Sequence, residues 1–159
     1  MKRADPLMTL RLVFVAFPIA LLLILYVLQV LTSDAPNGHT PAWVGWALVA
    51  CGLAALVGVS WARARPLPVS DQAALAASYR SNLFLGVAFA EFPALVGFAI
   101  VILTAELWPY LEGLAFALVG FALIAPIPGN IERRQQQITA QGSPLSLTEA
   151  LRTTPPGGR

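Results

Sequence analysis

Residues 79–103 read YRSNLFLGVAFAEFPALVGFAIVIL, and their composition is the strongest indication of the fold. This stretch is apolar almost throughout, and its only charged residues are Arg80 near the start and Glu91 in the middle. A helix of this length rises about 37 Å, enough to cross the hydrocarbon core of a bilayer, which is about 30 Å thick. The sequence therefore predicts that this segment spans a membrane.

The rest of the chain has the same character. Of its 159 residues, 57% are hydrophobic and 11% are charged, whereas about a quarter of the residues in a soluble domain are charged. Further apolar runs at about 8–31, 42–61 and 108–125 complete a predicted transmembrane domain of four spans over residues 1–129. Residues 130–159 follow as a polar tail with a short helix and a disordered end. We therefore predict an all-α, polytopic membrane protein embedded in the lipid bilayer.

The charges predict the orientation of the chain. All 10 lysine and arginine residues fall on one side of the four-span arrangement, while the two opposite loops carry Asp34, Glu106 and Glu112. The positive-inside rule then places the N and C termini in the cytoplasm, and we expect a multi-pass protein of the bacterial cytoplasmic membrane. The net charge of +2 is small and gives no sign of a nucleic-acid partner.

Glu91 is the residue whose position needs a chemical explanation. An acidic side chain near the bilayer midplane costs about 2.5–3.5 kcal/mol on insertion scales. No other ionisable residue is predicted at that depth, so no intramolecular salt bridge is available. Two interpretations stay open. Glu91 either binds and releases a proton or a cation, or it stays protonated and hydrogen-bonds another helix as structural glue.

Small residues recur beside Glu91 on the same predicted helix. They are spaced by three or four positions, so they share a face on which another helix can approach closely. That helix could belong to the same bundle or to a second copy of the chain, which leaves a homo-oligomer possible. The residues of this helix-packing stripe are Gly86, Ala90, Ala94 and Gly97.

Residues 79–93 resemble the second helix of the c subunit (proteolipid) of rotary ATP synthases. That helix has an arginine near its cytoplasmic end, Phe and small residues, then one carboxylate eleven residues after the arginine, often with a proline close behind. The residues that match this pattern are Arg80, Phe84, Gly86, Glu91 and Pro93. The resemblance implies that Glu91 is the proton-carrying carboxylate and that Arg80 is a cytoplasmic anchor of the helix.

Other candidate chemistry is sparse. The single cysteine, Cys51, lies in an apolar run, and the single histidine, His39, lies in a polar loop, so neither indicates a catalytic or metal site. Motifs for nucleotide binding and zinc proteolysis do not occur. We predict no enzyme activity, no cofactor and no metal. The expected function is that of an accessory subunit of a membrane complex in which Glu91 handles protons or cations. The alternative is a structural or assembly factor in which Glu91 is interhelical glue.

Overall fold

The computed structural model describes residues 6–34, 38–68 and 70–153, and all the regular secondary structure within them is helical. Three of the helices are each long and apolar enough to cross a membrane, and a fourth candidate consists of two helices bent by 55°. The prediction of an all-α membrane protein is therefore confirmed. In chain order the helices are α1 (Pro6–Thr32), α2 (Trp43–Ala64), α3 (Gln72–Thr104), α4 (Trp108–Ile124), α5 (Pro128–Ala140) and α6 (Leu147–Thr153). The bent pair is α4 with α5.

Short polar side chains mark the start of two helices. The Asp71 carboxylate accepts a hydrogen bond of 2.7 Å from the amide of Ala74 and caps the N-terminus of α3. At α6, the Ser146 hydroxyl accepts from the amide of Glu149 at 3.4 Å. Because α3 begins at its cap and continues without a break, its 33 residues extend beyond the predicted span of 79–103.

The helices α2, α3 and α4 pack against one another and form the centre of the bundle. The closest approach is between α3 and α4, where glycines bring the two backbones together. A Cβ atom added to Gly113 would collide with the carbonyl of Pro93, and one added to Gly97 would collide with the carbonyl of Pro109. We call this contact the α3–α4 seam. It is the kind of interface that small residues allow between membrane helices.

The first helix lies outside this centre and packs mainly against α4 and α6. It contains no glycine, and it contacts the rest of the protein through large side chains spaced by three, four or seven residues. Such spacing places them on one side of a helix that is apolar all round. Its buried residues are Leu7, Leu10, Phe14, Leu21 and Leu28.

The segment after α4 differs from the predicted polar tail. The helices α5 and α6 fold against one end of the bundle, and their apolar side chains join its core. The sequence did not indicate this packing, because α5 carries only two strongly apolar positions, Ile131 and Ile138, which lie two turns apart on one face. Both are buried, as are Leu147 and Leu151 of α6. The predicted disordered end, after Thr153, lies outside the described residues.

Candidate functional site

Arginine side chains gather at one end of the bundle, which we call the basic end. The Nε atom of Arg11 donates to the carbonyl of Pro126 at 3.1 Å, which joins α1 to the bend after α4. The Nη1 atom of Arg134 donates to the carbonyl of Arg65 at 3.1 Å, which joins α5 to the end of α2. The Arg65 guanidinium lies 4.9 Å from the ring centroid of Trp61. Arginines that were predicted on the same side of the membrane therefore lie at the same end of the bundle. The cytoplasmic location of this end stays a prediction.

The opposite end carries the turn between α3 and α4. There the indole N–H of Trp108 donates to the Glu106 carboxylate at 2.9 Å. The neighbouring Thr40 and the Trp108 indole stabilise the charged carboxylate, and they lower the pKa of Glu106 below its ordinary value of 4.5. Tryptophan at this height is typical of a membrane–water interface.

Glu91 lies in the interior of α3, and the seam shows its depth. Five residues before it, Gly86 faces the side chain of Ile124, at the end of α4. Six residues after it, Gly97 faces Pro109, near the start of α4. Glu91 therefore lies about midway along the height that α4 covers.

The face of α3 that carries Glu91 points away from the seam. Its side chain is half-buried, and the residues one or two turns away on the same face, Phe84, Ala88 and Leu95, are exposed. No hydrogen bond or ion pair joins the Glu91 carboxyl to any residue of 6–34, 38–68 or 70–153. The structure thus places a carboxyl group at mid-height, on a face with large exposed apolar side chains, without a partner in the described part of the chain.

The helix-packing stripe is covered by α4 within one chain. All four of its residues are buried, and they lie next to Glu91 in sequence but on the seam side of the helix. Gly120 of α4 meets Ala90, and Gly113 meets the backbone at Ala94. Of the two possibilities that the sequence left open for these residues, packing inside the bundle is the one that the structure contains.

Arg80 is half-buried on α3, towards the basic end. Its eleven-residue separation from Glu91 corresponds to about 16 Å along the helix axis. The two groups therefore act at different depths, and Arg80 does not lie beside the Glu91 carboxyl. Its predicted role as an anchor stays a prediction.

A cavity at the basic end was not identified from the sequence. It has a volume of about 260 Å³ and lies between α2, α3, α4 and α5. Its polar lining includes Arg63, Asn82, Arg133 and Arg134. These residues come from three helices, and only the tertiary structure brings them together. The one available signal was that all these arginines were predicted on the same side of the membrane.

A metal centre has no support in the described part of the chain, where no group of three or more His, Cys, Asp or Glu side chains is placed to hold an ion. The sequence matches no protein-family model, and no curated protein or solved structure shows significant similarity to it.

Proposed function

We propose that this protein is a non-enzymatic accessory subunit of a membrane complex, and that Glu91 meets a partner helix inside the bilayer and handles a proton or a cation there. The observation that carries the proposal is the position of Glu91, at mid-height on an outward face of α3 and without a partner among the described residues. The distribution of the arginines supports a bacterial cytoplasmic membrane with both termini inside.

The physical reason is the cost of leaving a carboxyl group in hydrocarbon. Lipid tails offer neither donors nor acceptors, so an unpaired polar group there costs several kcal/mol. The low-dielectric surroundings favour the neutral, protonated form of Glu91, and this form still needs a hydrogen-bond partner. A second protein could supply that partner, and Ala88, one turn away, leaves room for a neighbouring helix to approach.

The resemblance of residues 79–93 to the c subunit of rotary ATP synthases favours proton handling over the other uses of such a carboxyl. In that comparison, Glu91 takes the position of the proton-carrying group.

The test is labelling of Glu91 by a hydrophobic carbodiimide in native membranes over a series of pH values, read by mass spectrometry. Such reagents modify protonated carboxyl groups that are accessible from lipid. We expect labelling that decreases as the pH rises through neutrality, or that sodium ions prevent. Glu112, in α4, is the matched carboxyl, and a Glu112→Gln variant should leave the labelling of Glu91 unchanged.

Two substitutions separate ion handling from structural glue. Glu91→Gln keeps hydrogen-bonding capacity and removes ionisation, whereas Glu91→Leu removes both. If Glu91 is only glue between chains, the Gln variant should retain co-purifying partners that the Leu variant loses, and labelling should not depend on pH or sodium. An absence of labelling at every pH would likewise contradict ion handling.

A further inference from the structure

The cavity at the basic end has features of a binding site that do not depend on the role of Glu91. Its volume of about 260 Å³ is several times the share of about 30 Å³ that one water molecule occupies in the liquid. The buried apolar side chains in its lining, Leu83 and Ile124, form its inner wall, and the more exposed arginines form its rim. The cavity therefore lies where the hydrocarbon of the bundle gives way to charged side chains.

The charge lining this cavity is of one sign. Arg63, Arg133 and Arg134 all line it, and among the described residues no Asp or Glu does. Arg63 forms no ion pair with any described residue. Burial, together with the nearby charge of Arg63, lowers the pKa of Arg134, although a guanidinium stays protonated at neutral pH. Repulsion between these groups would be relieved by an anion between them.

The position of one of the three guanidinium groups is already set by the protein. Arg134 donates through Nη1 to the carbonyl of Arg65 at 3.1 Å and to the side-chain oxygen of Gln137 at 2.8 Å. These two bonds hold the group at the cavity wall and leave its other N–H donors available. Preorganised arginine is well suited to phosphate, because its planar fork matches two phosphate oxygens at once.

A buried amide points to the same kind of ligand. Asn82 is 9% exposed and lines the cavity, and its Nδ2 atom has no hydrogen-bond partner among the residues that the structure describes. An N–H donor left unpaired in a buried position is unfavourable, and it would be satisfied by an acceptor oxygen. The three guanidinium groups are donors only, so the ligand they select is rich in acceptors and negatively charged, and one of its oxygens could also accept from the Asn82 amide N–H.

We infer that this cavity binds a phosphate group, held by Arg63, Arg133 and Arg134 at its rim and by the amide of Asn82 deeper inside. Two sources share that chemistry: the headgroup of an anionic phospholipid and soluble inorganic phosphate. Basic pockets between membrane helices on the cytoplasmic side are known to hold lipid headgroups. The apolar inner wall and the exposed Trp61 nearby place the cavity at the height of the lipid headgroups.

The test uses the full-length protein in a neutral detergent and measures binding by calorimetry. Phosphatidylglycerol, phosphatidylcholine and inorganic phosphate are titrated separately. We expect binding of phosphatidylglycerol or inorganic phosphate that Arg63→Gln and Asn82→Leu each weaken by about tenfold, because each removes a donor to the anion. Arg152→Gln is the matched control, because it removes one charge at the basic end from a residue that does not line this cavity.

The outcomes separate the sources and can overturn the inference. Binding of phosphatidylglycerol alone identifies a lipid headgroup, and equal binding of inorganic phosphate identifies a soluble ligand. The inference fails if neither anion binds, if phosphatidylcholine binds as tightly as phosphatidylglycerol while inorganic phosphate does not bind, or if both variants bind like the unmodified protein. Asn82→Leu removes a donor that has no hydrogen-bond partner in the described part of the chain, so it should not weaken folding, and it keeps the test valid if Arg63→Gln does not fold.

Discussion

The α3–α4 seam and the first helix are two different solutions to helix packing in one small protein. In the seam, glycines remove side chains from the contact, and the backbones of α3 and α4 meet directly. The first helix has no glycine and meets the bundle through large side chains. One of them, Phe14, packs edge-on against Phe121 at a centroid distance of 5.7 Å.

Apolar character does not predict which of these helices is most buried. The most apolar of the three full-length candidate spans is α1, and it is also the least buried of them. Since lipid tails are as apolar as leucine, transfer into the bundle gains little, and close contact between small residues becomes the main attraction. We therefore expect α2, α3 and α4 to form the stable unit, with α1 more weakly attached.

The largest expected effect comes from filling the seam. Gly113→Ala places a methyl group against the carbonyl of Pro93, and overpacking of this kind costs about 1–3 kcal/mol. Reversible unfolding in mixed detergent micelles, followed by tryptophan fluorescence, should show this loss. Gly129→Ala is the control, because a Cβ atom there would meet nothing within 4 Å. Equal stability of the two variants would contradict the backbone contact described here.

A smaller effect is expected at one hydrogen bond that joins α4 to α1. The buried hydroxyl of Tyr110 donates to the carbonyl of Leu21 at 2.7 Å, and hydrogen bonds between membrane helices contribute about 0.6 kcal/mol on average. Tyr110→Phe should lower the free energy of unfolding by roughly that amount. Tyr26→Phe, on an exposed position of α1, should change nothing. If Tyr110→Phe lowered the free energy of unfolding as much as Gly113→Ala, α1 would not be more weakly attached than the helices of the seam.

The smallest effect concerns pH at the end opposite the arginines. The lowered pKa of Glu106 means that its ionised form stabilises the fold. This contribution is present above the ordinary carboxyl value of 4.5 and is lost as the pH falls through the lower value of the folded state. Trp108 fluorescence should therefore change on acidification below pH 4.5. Glu106→Gln should show no such step, and a step that persists in that variant would assign the change to another group.

The membrane fold could be predicted because its signals are matters of composition. Long apolar runs identify spans, and Glu91 is conspicuous because it interrupts one of them. The buried face of α1 could not be predicted, because a helix that is apolar all round has no polar face to mark the outside. The seam partner of Gly97 was also hidden, since small residues reveal that something packs closely but not which helix does.

Of the two candidate sites, only Glu91 could be predicted from the sequence. Glu91 is visible from its own surroundings in the sequence, whereas the cavity at the basic end depends on residues far apart in the chain. Arg63 lies in α2, and Arg134 lies in α5. The hydrogen bond from Arg134 to the carbonyl of Arg65 joins these two segments. Asn82 could not be singled out from the sequence, because its distinguishing feature is three-dimensional. Its Nδ2 atom has no hydrogen-bond partner among the described residues.

The covering of the basic end by α5 and α6 has a mechanical consequence. The helix α6 touches both α1 and α3, Arg134 ties α5 to the end of α2, and Arg11 ties α1 to the bend after α4. Each of the helices α1 to α4 therefore has a contact at the basic end. Tilting of α1, which lies outside the centre formed by α2, α3 and α4, would be smallest at that end, and its amplitude would grow towards Thr32.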